Sequence, residues 1–276
     1  MPPAVRSAAL PFLLAAAFIA GGAAAPATAQ TTQAQSAGNG WTFPTEWQGG
    51  GIVIVAPKYE GSRNYRVIGF PIAAPAGTGE SRIQVKSADD VRIRVLSLNG
   101  LELGAVTGWR FGRDREDGPR LRGLNDIDDG LALGGYAAYR LGMVSAFASY
   151  SHQATGDETG GLLRFGLESE IKLKGAMAVT ALVGATWASD DYMRSYFSVT
   201  PAQATRSGLA AYSATAGIKD VHVGLSAEIP LAQLWTLRLI GRYARLVGDA
   251  SDSPIVEQKD QFTGGVGLTY RFSLGR

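Results

Sequence analysis

The sequence has no cysteine. It therefore has no disulfide framework, no thiolate metal site and no cysteine for a lipid anchor. Long apolar runs are also missing after residue 29, which argues against a membrane-spanning helix in that part of the chain. The formal net charge of +2 is too small to favour a nucleic-acid partner. The two histidines, His152 in a predicted loop and His222 on a predicted strand, have no evident partners for a catalytic triad.

Glycine is abundant, with 36 residues, and apolar residues are dispersed singly among polar ones. Residues 262–272 show this alternation. One face of an extended strand there carries Val266, Leu268, Tyr270 and Phe272. The other face carries Gly265, Gly267, Thr269 and Arg271. An apolar face that ends in aromatic residues, opposite a polar face, is typical of a transmembrane barrel strand.

The first 29 residues have the three parts of a signal peptide. Arg6 provides the positive charge, residues 10–20 form an apolar segment too short to cross a bilayer, and residues 27–29 are a small-residue cleavage site. An uncleaved amphipathic or membrane helix is the alternative. We expect a mature chain that begins at Gln30, with residues 30–45 as a flexible periplasmic lead-in. Export of a chain with alternating strands indicates the bacterial outer membrane.

Twelve stretches of strand-like sequence follow the lead-in. They cover residues 46–56, 65–74, 81–86, 91–98, 101–112, 131–141, 143–151, 162–173, 177–188, 212–229, 234–247 and 262–272. Short turns alternate with long polar loops, and the short connection at 87–90 is the exception on the loop side. This pattern predicts an all-β fold, a closed antiparallel transmembrane β-barrel over residues 46–272 with both termini periplasmic. Residues 273–276 are a short C-terminal extension.

Charged residues at alternate strand positions are predicted to line the lumen, because an arginine near the bilayer midplane costs about 2 to 4 kcal/mol on the lipid face. These residues are Arg82, Lys86, Arg92, Arg94, Glu168, Glu170, Arg238 and Arg242. The two glutamates are candidate partners for the arginines. In a barrel of this size the charges either plug the bore as ion pairs or favour anions.

The loops contain features with more than one interpretation. Residues 125–130 are similar to a calcium-binding loop but one residue short, so a solvated turn is the alternative. The charged run at 113–117 is interpreted as a solvated loop. Three aromatic residues either anchor a partner, form an interfacial girdle or fold inward as a plug. They are Tyr192, Tyr196 and Phe197.

Four separated motifs resemble, in the same order, the family of the MltA-interacting protein MipA and OmpV. They lie within residues 49–62, 112–128, 196–209 and 248–256. The residues that carry the resemblance are Pro57, Tyr59, Gly61, Ser62, Arg113, Asp114, Gly123, Asp126, Asp128, Tyr196, Phe197, Gln203, Ser207, Gly208, Gly248, Asp249, Ser253 and Pro254. Outer-membrane proteins commonly stop at an aromatic residue, whereas this chain continues beyond Tyr270 and Phe272 of its terminal strand.

The resemblance implies a barrel in contact with outer-membrane lipid. For one family member it implies a scaffold that joins a murein hydrolase, a lytic transglycosylase, to a murein synthase. It implies no catalysis, and we expect no enzyme activity, no cofactor and no metal. The alternative, suggested by the inward basic residues, is a narrow channel for small anionic solutes. Short periplasmic turns are unfavourable for a large docking surface.

Overall fold

A computed structural model describes residues 46–75, 83–157 and 159–273. The predicted signal peptide at 1–29, the lead-in at 30–45, Arg82 and residues 274–276 lie outside the described residues. Within the described ranges, no helix combines the length and the apolar character needed to cross a membrane.

Twelve antiparallel strands form one sheet, as the alternation predicts. They are β1 (Glu46–Pro57), β2 (Tyr65–Pro75), β3 (Ile83–Ser87), β4 (Asp90–Leu98), β5 (Leu101–Arg110), β6 (Gly130–Leu141), β7 (Val144–Gln153), β8 (Gly161–Lys172), β9 (Ala178–Ala188), β10 (Gly217–Pro230), β11 (Trp235–Leu246) and β12 (Asp260–Ser273). The order across the sheet is β2-β1-β12-β11-β10-β9-β8-β7-β6-β5-β4-β3. The sheet is curled, since side chains of distant strands meet on its concave face. We call this curled sheet the wall.

The first and last strands are neighbours in the wall. Their register runs from Glu46 opposite Ser273 to Val55 opposite Gly264. This pairing confirms the expectation that the terminal strand joins the first. In the described residues the hydrogen-bonded ladders end at β2 and β3, so full closure of the barrel and periplasmic termini stay predictions.

Alternation along the strands separates two faces of the wall. In β12, Val266, Leu268 and Tyr270 are exposed on the convex face, whereas Thr269 between them is fully buried. A strand turns successive side chains to opposite faces, so one pattern of apolar and polar residues gives an apolar outer surface and a polar inner one.

Long and short connections alternate between the two ends of the wall. At the turn end, β4 and β5 are joined by Asn99 and Gly100, whose φ angles of +48° and +85° suit a two-residue hairpin. The loop end carries the connections at 58–64, 88–89, 111–129, 154–160, 189–216 and 247–259. The short connection at 88–89 is the exception that the sequence predicts.

Helices in the loop-end connections are the main departure from the predicted elements. They are α1 (Asp190–Phe197), α2 (Pro201–Ser207) and α3 (Gly248–Asp252). The sequence predicts a tenth strand from residue 212, but β10 begins at Gly217. In α2, Thr200 and Gln203 form a reciprocal capping box. Such short helices depend on caps and packing for their stability. They are also too short for apolar periodicity to reveal them in the sequence.

The hydrophobic core lies in the loop-end connections and adjoining strand ends. We call it the loop core, and its buried apolar residues are Tyr59, Leu121, Leu124, Ile127, Leu162, Ala188, Tyr192, Met193, Tyr196, Phe197, Val199, Ala214, Leu246, Ala250 and Ile255. The ring of Tyr192 lies 5.5 Å from the guanidinium of Arg110 and 5.8 Å from Nζ of Lys219. The loop core therefore covers the loop end of the concave space.

Candidate functional site

Paired aromatic residues mark both ends of the convex face. Trp235 and Tyr270 are in contact at the turn end, with ring centroids 5.1 Å apart. Tyr243 and Phe262 are in contact at the loop end, also at 5.1 Å. From Phe262 to Phe272, the β12 strand covers roughly 34 Å, or roughly 26 Å across a membrane at the usual strand tilt. That length matches the apolar band of an outer-membrane barrel.

The concave face carries polar contacts between strands that are not neighbours. Nζ of Lys86 on β3 lies 3.0 Å from both carboxylate oxygens of Glu168 on β8. Arg238 on β11 donates to the side chain of Gln48 on β1 at 2.9 Å. Side chains of separated strands meet only across the space that the wall encloses. These contacts agree with the predicted inward direction of Lys86, Glu168 and Arg238.

The arginines of β4 are compensated within their own part of the wall. Arg92 donates two hydrogen bonds of 3.0 Å to Asp90, and its guanidinium lies 4.5 Å from the ring centre of Phe147. Arg94 donates to Glu102 at 3.0 Å. A buried charge is tolerated only with such partners, because leaving one partner unpaired is strongly destabilising.

A second cluster connects β10 to the loop end. The Asp220 carboxylate accepts hydrogen bonds from Lys219 at 2.7 Å and from His222 at 2.8 Å. Arg242 is a weaker third donor, at 3.4 Å. Lys219 also donates at 2.6 Å to Glu60, in the connection between β1 and β2. One buried lysine thus joins the wall to a loop-end connection.

Asp89, in the turn between β3 and β4, forms an ion pair with Arg164 of β8. Burial would by itself raise the pKa of Asp89, but the Arg164 charge and a hydrogen bond from Ser87 outweigh burial and lower the pKa to about 2. The carboxylate is therefore ionised at neutral pH. The pair fastens this short turn to the opposite side of the wall.

Most predicted lumen residues have carboxylate or ammonium partners, although the arginines use other partners than expected. Arg92, Arg94, Arg238 and Arg242 contact, in that order, Asp90, Glu102, Glu228 and Asp220. These carboxylates lie on the same or an adjacent strand, where the register brings them close without a reach across the bore. Glu168 pairs with Lys86, and Glu170 is exposed on β8. A lumen-lining role for the whole set stays a prediction.

The first and last family-like motifs meet at Gly61. Its φ is +90°, and a Cβ there would lie 2.6 Å from a methyl carbon of Val256. Its N–H donates to the Gln261 side chain at 3.2 Å. Its carbonyl accepts from the backbones of Glu257 and Gln258. Only glycine fits this close approach without strain, so the β1–β2 connection is fixed to the β11–β12 connection.

The second and third motifs meet at Arg113. Its guanidinium is buried and donates to the Tyr196 carbonyl at 2.7 Å, and burial lowers the pKa of Arg113. The interpretation of 113–117 as solvated is therefore wrong for Arg113, which packs under α1. Burial, followed by the charge of Glu60, raises the pKa of Tyr196. The three aromatic residues with alternative interpretations are all buried, which matches inward folding: Tyr192, Tyr196 and Phe197.

Two further contacts join motifs that are far apart in the sequence. Oγ of Ser253 donates to the Phe197 carbonyl at 2.6 Å. Gly123, with a φ of +87°, lies so close to α2 that a Cβ would approach the Arg206 carbonyl carbon to 2.8 Å. The contacts of these motif residues indicate a structural role, in which they hold the loop core together.

Residues 125–129 lead into β6 without a regular turn, with Ile127 in an isolated bridge to Arg113, and Asp126 pairs with Arg115 at 2.6 Å. Hydrogen bonds from Arg115 lower the pKa of Asp126. In the part of the chain that the structure describes, no cluster of side chains is suited to hold a metal ion. His152 lies on β7, which extends to Gln153, and not in a loop as predicted.

Sequence reasoning missed the residues that join the wall to the loop end, notably Glu60, Asp89 and Lys219. One signal was present at Lys219 and Asp220, two adjacent charged residues in an otherwise alternating strand. The register between β10 and β9 shifts between Ile218 and Asp220. Such a bulge re-aims side chains locally, and both residues are buried.

Comparison with known proteins identifies relatives. The family described as "MltA-interacting protein MipA" matches residues 49–272. The MltA-interacting protein of Escherichia coli (strain K12) is 30% identical over 98 residues, which cover 36% of this chain and 39% of that protein. Outer membrane protein Omp26La of Vibrio anguillarum and outer membrane protein OmpV of Vibrio cholerae are 25% and 24% identical over 167 residues, 60% of this chain and 64% of each relative. The chain thus spans less than two thirds of the length of these relatives.

The family match includes all four motifs and ten complete strands, from β2 to β11, with most of β1 and β12. The relatives named above as outer membrane proteins agree with the apolar convex face and its aromatic ends. This protein is an outer-membrane β-barrel protein, and the chain belongs to the MltA-interacting protein MipA family.

Proposed function

We propose that this protein is a sealed outer-membrane barrel that acts by binding a murein enzyme, and not by conducting solute. The observation that carries the proposal is the loop core over the loop end. Phe197, Ala250 and Ile255 within it are fully buried. A solute would have to pass this packed layer and, beneath it, the ion pairs of Lys219 with Asp220 and Glu60. Well-packed apolar layers have few voids large enough for water.

The class of partner comes from the relative that is named for its interaction with MltA. Its transfer to this chain is part of the proposal, as is the assignment of the turn end to the periplasm. The turn end supports binding of a protein because its tips are apolar. Met143 is 74% exposed and Leu231 is 59% exposed, and both lie beyond the Trp235–Tyr270 pair. Exposed Arg140 and Lys172 flank these tips.

Current measurement in planar bilayers tests the sealed bore. The native protein is expected to give no stable conductance. Phe197→Ala should loosen the loop core and give intermittent current, whereas Val53→Ala on the convex face should behave as the native protein does.

A narrow anion channel is the second candidate, because the Arg242 side chain is inward and 45% exposed. Steady anion-selective current from the native protein, reduced by Arg242→Gln, would favour that channel.

Binding of a purified MltA-type lytic transglycosylase to the protein in lipid nanodiscs tests the interaction. The paired substitutions Met143→Ser and Leu231→Ser should weaken binding about tenfold or more if the turn tips are the contact. The matched control is Leu225→Ser, midway along the convex face of β10. An absence of binding to the native protein, or equal binding to all three proteins, would refute the proposed role.

A further inference from the structure

A patch of apolar side chains lies on the concave face, where barrels of this kind are usually polar. We call it the inner patch, and its residues are Ile52, Ile54, Ile68, Phe70, Ile72 and Ile240. The register of β1 and β2 places Ile54 opposite Ile68. Gly265 lies between Ile54 and Ile240, since a Cβ on Gly265 would be 3.0 to 3.1 Å from both side chains. The six residues therefore form one surface.

Alternation fixes the direction in which the inner patch faces. Val53 and Val67, which alternate with patch residues, are highly exposed on the convex face. Gln48, on the same side of β1 as the patch, bonds to the inward Arg238. All six patch residues are nonetheless only half-buried. Apolar side chains that face inward and stay accessible border open space.

The opposite part of the concave face is packed. Several of its inward residues on β4, β5 and β7 are buried, among them Arg92, Val106, Phe147 and Ser149. The enclosed space is thus filled on one side by ion pairs and small polar residues, and open on the side of the inner patch. Accessible isoleucine in water is unfavourable, so the open side favours an apolar occupant.

Two arginines border the inner patch toward the loop end. The guanidinium of Arg66, two residues before Ile68, lies 5.9 Å from the ring centre of Phe111. Its buried Nε has no hydrogen-bond partner, and Arg66 has no ion pair within the described residues. Arg242, two residues after Ile240, has only a long contact to a carboxylate and is 45% exposed. An anionic group beside either side chain would meet a poorly neutralised cation.

We propose that the inner patch binds a single-chain anionic amphiphile, of the fatty-acid or lysophospholipid class. The acyl chain lies over the isoleucines and Phe70, and the anionic group lies at Arg66 and Arg242. In the described residues β2 is the last strand of the hydrogen-bonded ladders at its side of the wall, and Pro71 has no N–H to donate to a further ladder. This binding is independent of any murein enzyme.

Photo-crosslinking with a palmitic acid that carries a diazirine near the end of its chain tests the proposal. The full chain is placed in phospholipid nanodiscs, and crosslinked peptides of β1, β2 and β11 are read by mass spectrometry. Crosslinks are expected at Ile54 and Ile68, besides those at lipid-facing positions. Ile54→Ala with Ile68→Ala should lower labelling of the inner patch about tenfold. Val53→Ala with Val67→Ala, the matched control on the convex face, should leave inner labelling unchanged.

A second arm tests recognition of charge. Arg66→Gln should lower labelling of the inner patch by the acid, but not by the methyl ester of the same probe, and heat-modifiable migration on a gel shows that each variant is folded. Labels confined to convex positions would overturn the proposal. Equal inner labelling by acid and ester in the native protein would overturn it as well. Inner labelling that appears only after removal of residues 30–45 would show that the chain fills the patch itself, and the proposal would fail.

Discussion

The wall and the loop core place apolar side chains in opposite directions. In the wall most of them point outward, as Val53 and Val266 do, with the inner patch as an exception, whereas in the loop core they point inward, as Phe197 does. The wall is built from ladders between successive strands. The loop core instead depends on contacts between distant residues, such as Gly61 with Gln261. Two environments, lipid for one and water for the other, therefore account for two arrangements in one chain.

Removal of a buried ring should separate the two regions most clearly. Phe197→Ala should cost the loop core about 3 to 5 kcal/mol, because Phe197 is fully buried and a cavity remains. The wall should stay folded. Limited proteolysis should then cut the loop-end connections while heat-modifiable migration persists. Val183→Ala, on the exposed face of β9, is the control. Loss of heat-modifiable migration in the Phe197 variant would show that the wall depends on the loop core.

A pair of substitutions at neighbouring positions tests the two faces of the wall. Leu225→Lys should destabilise the protein in lipid by about 2 to 4 kcal/mol, because Leu225 is on the convex face. Ser226→Lys points inward and should have a much smaller effect. Unfolding by denaturant in vesicles gives both values. The reverse order would mean that the two faces are exchanged.

The smallest expected effect is a dependence of the loop core on alkaline pH. Burial, and then the negative charge of Glu257, raise the pKa of Tyr59 from 10.0 to about 12. The folded protein keeps this proton to a higher pH than the unfolded chain does. Neutral Tyr59 therefore contributes at most about 3 kcal/mol to the free energy of unfolding, and this contribution is complete below pH 10 and is lost as pH rises through 12. Protease sensitivity of the loops should rise over this interval. Tyr59→Phe should remove that part of the change, and an identical pH profile would contradict the assignment.

Much of the wall could be predicted from the sequence. Alternation predicts all twelve strands, because a strand with lipid on one face has apolar residues at every second position. The pair Asn99 and Gly100 predicts the hairpin between β4 and β5. The predicted start of β10 at Tyr212 is too early. Tyr212 belongs to the loop-end connection, where it pairs with Val199 in an isolated bridge.

The site was less predictable than the wall. The sequence marks Arg92 and Arg238 as inward, yet it does not contain the register of β10 and β11 that supplies Glu228 as the partner of Arg238. The helices α1, α2 and α3 have five to eight residues, too few for periodicity to distinguish them from loops. The sequence does not reveal the inner patch, because its residues on β1 and β2 stand beside other apolar or small residues, such as Val53, Val55 and Val67, and both faces of these strands look apolar.

The neighbouring positions of β1 and β12 have a consequence for biogenesis. Glu46 pairs with Ser273, so the first strand finds this partner only when the end of the chain has crossed the inner membrane. Long-range pairing of this kind is slow, because the entropy cost of closing a large loop comes before the stabilising contacts form. The exported chain therefore has to be kept from aggregating over its full length, and a chain cut short before β12 would expose two unpaired strand edges to chaperones and proteases.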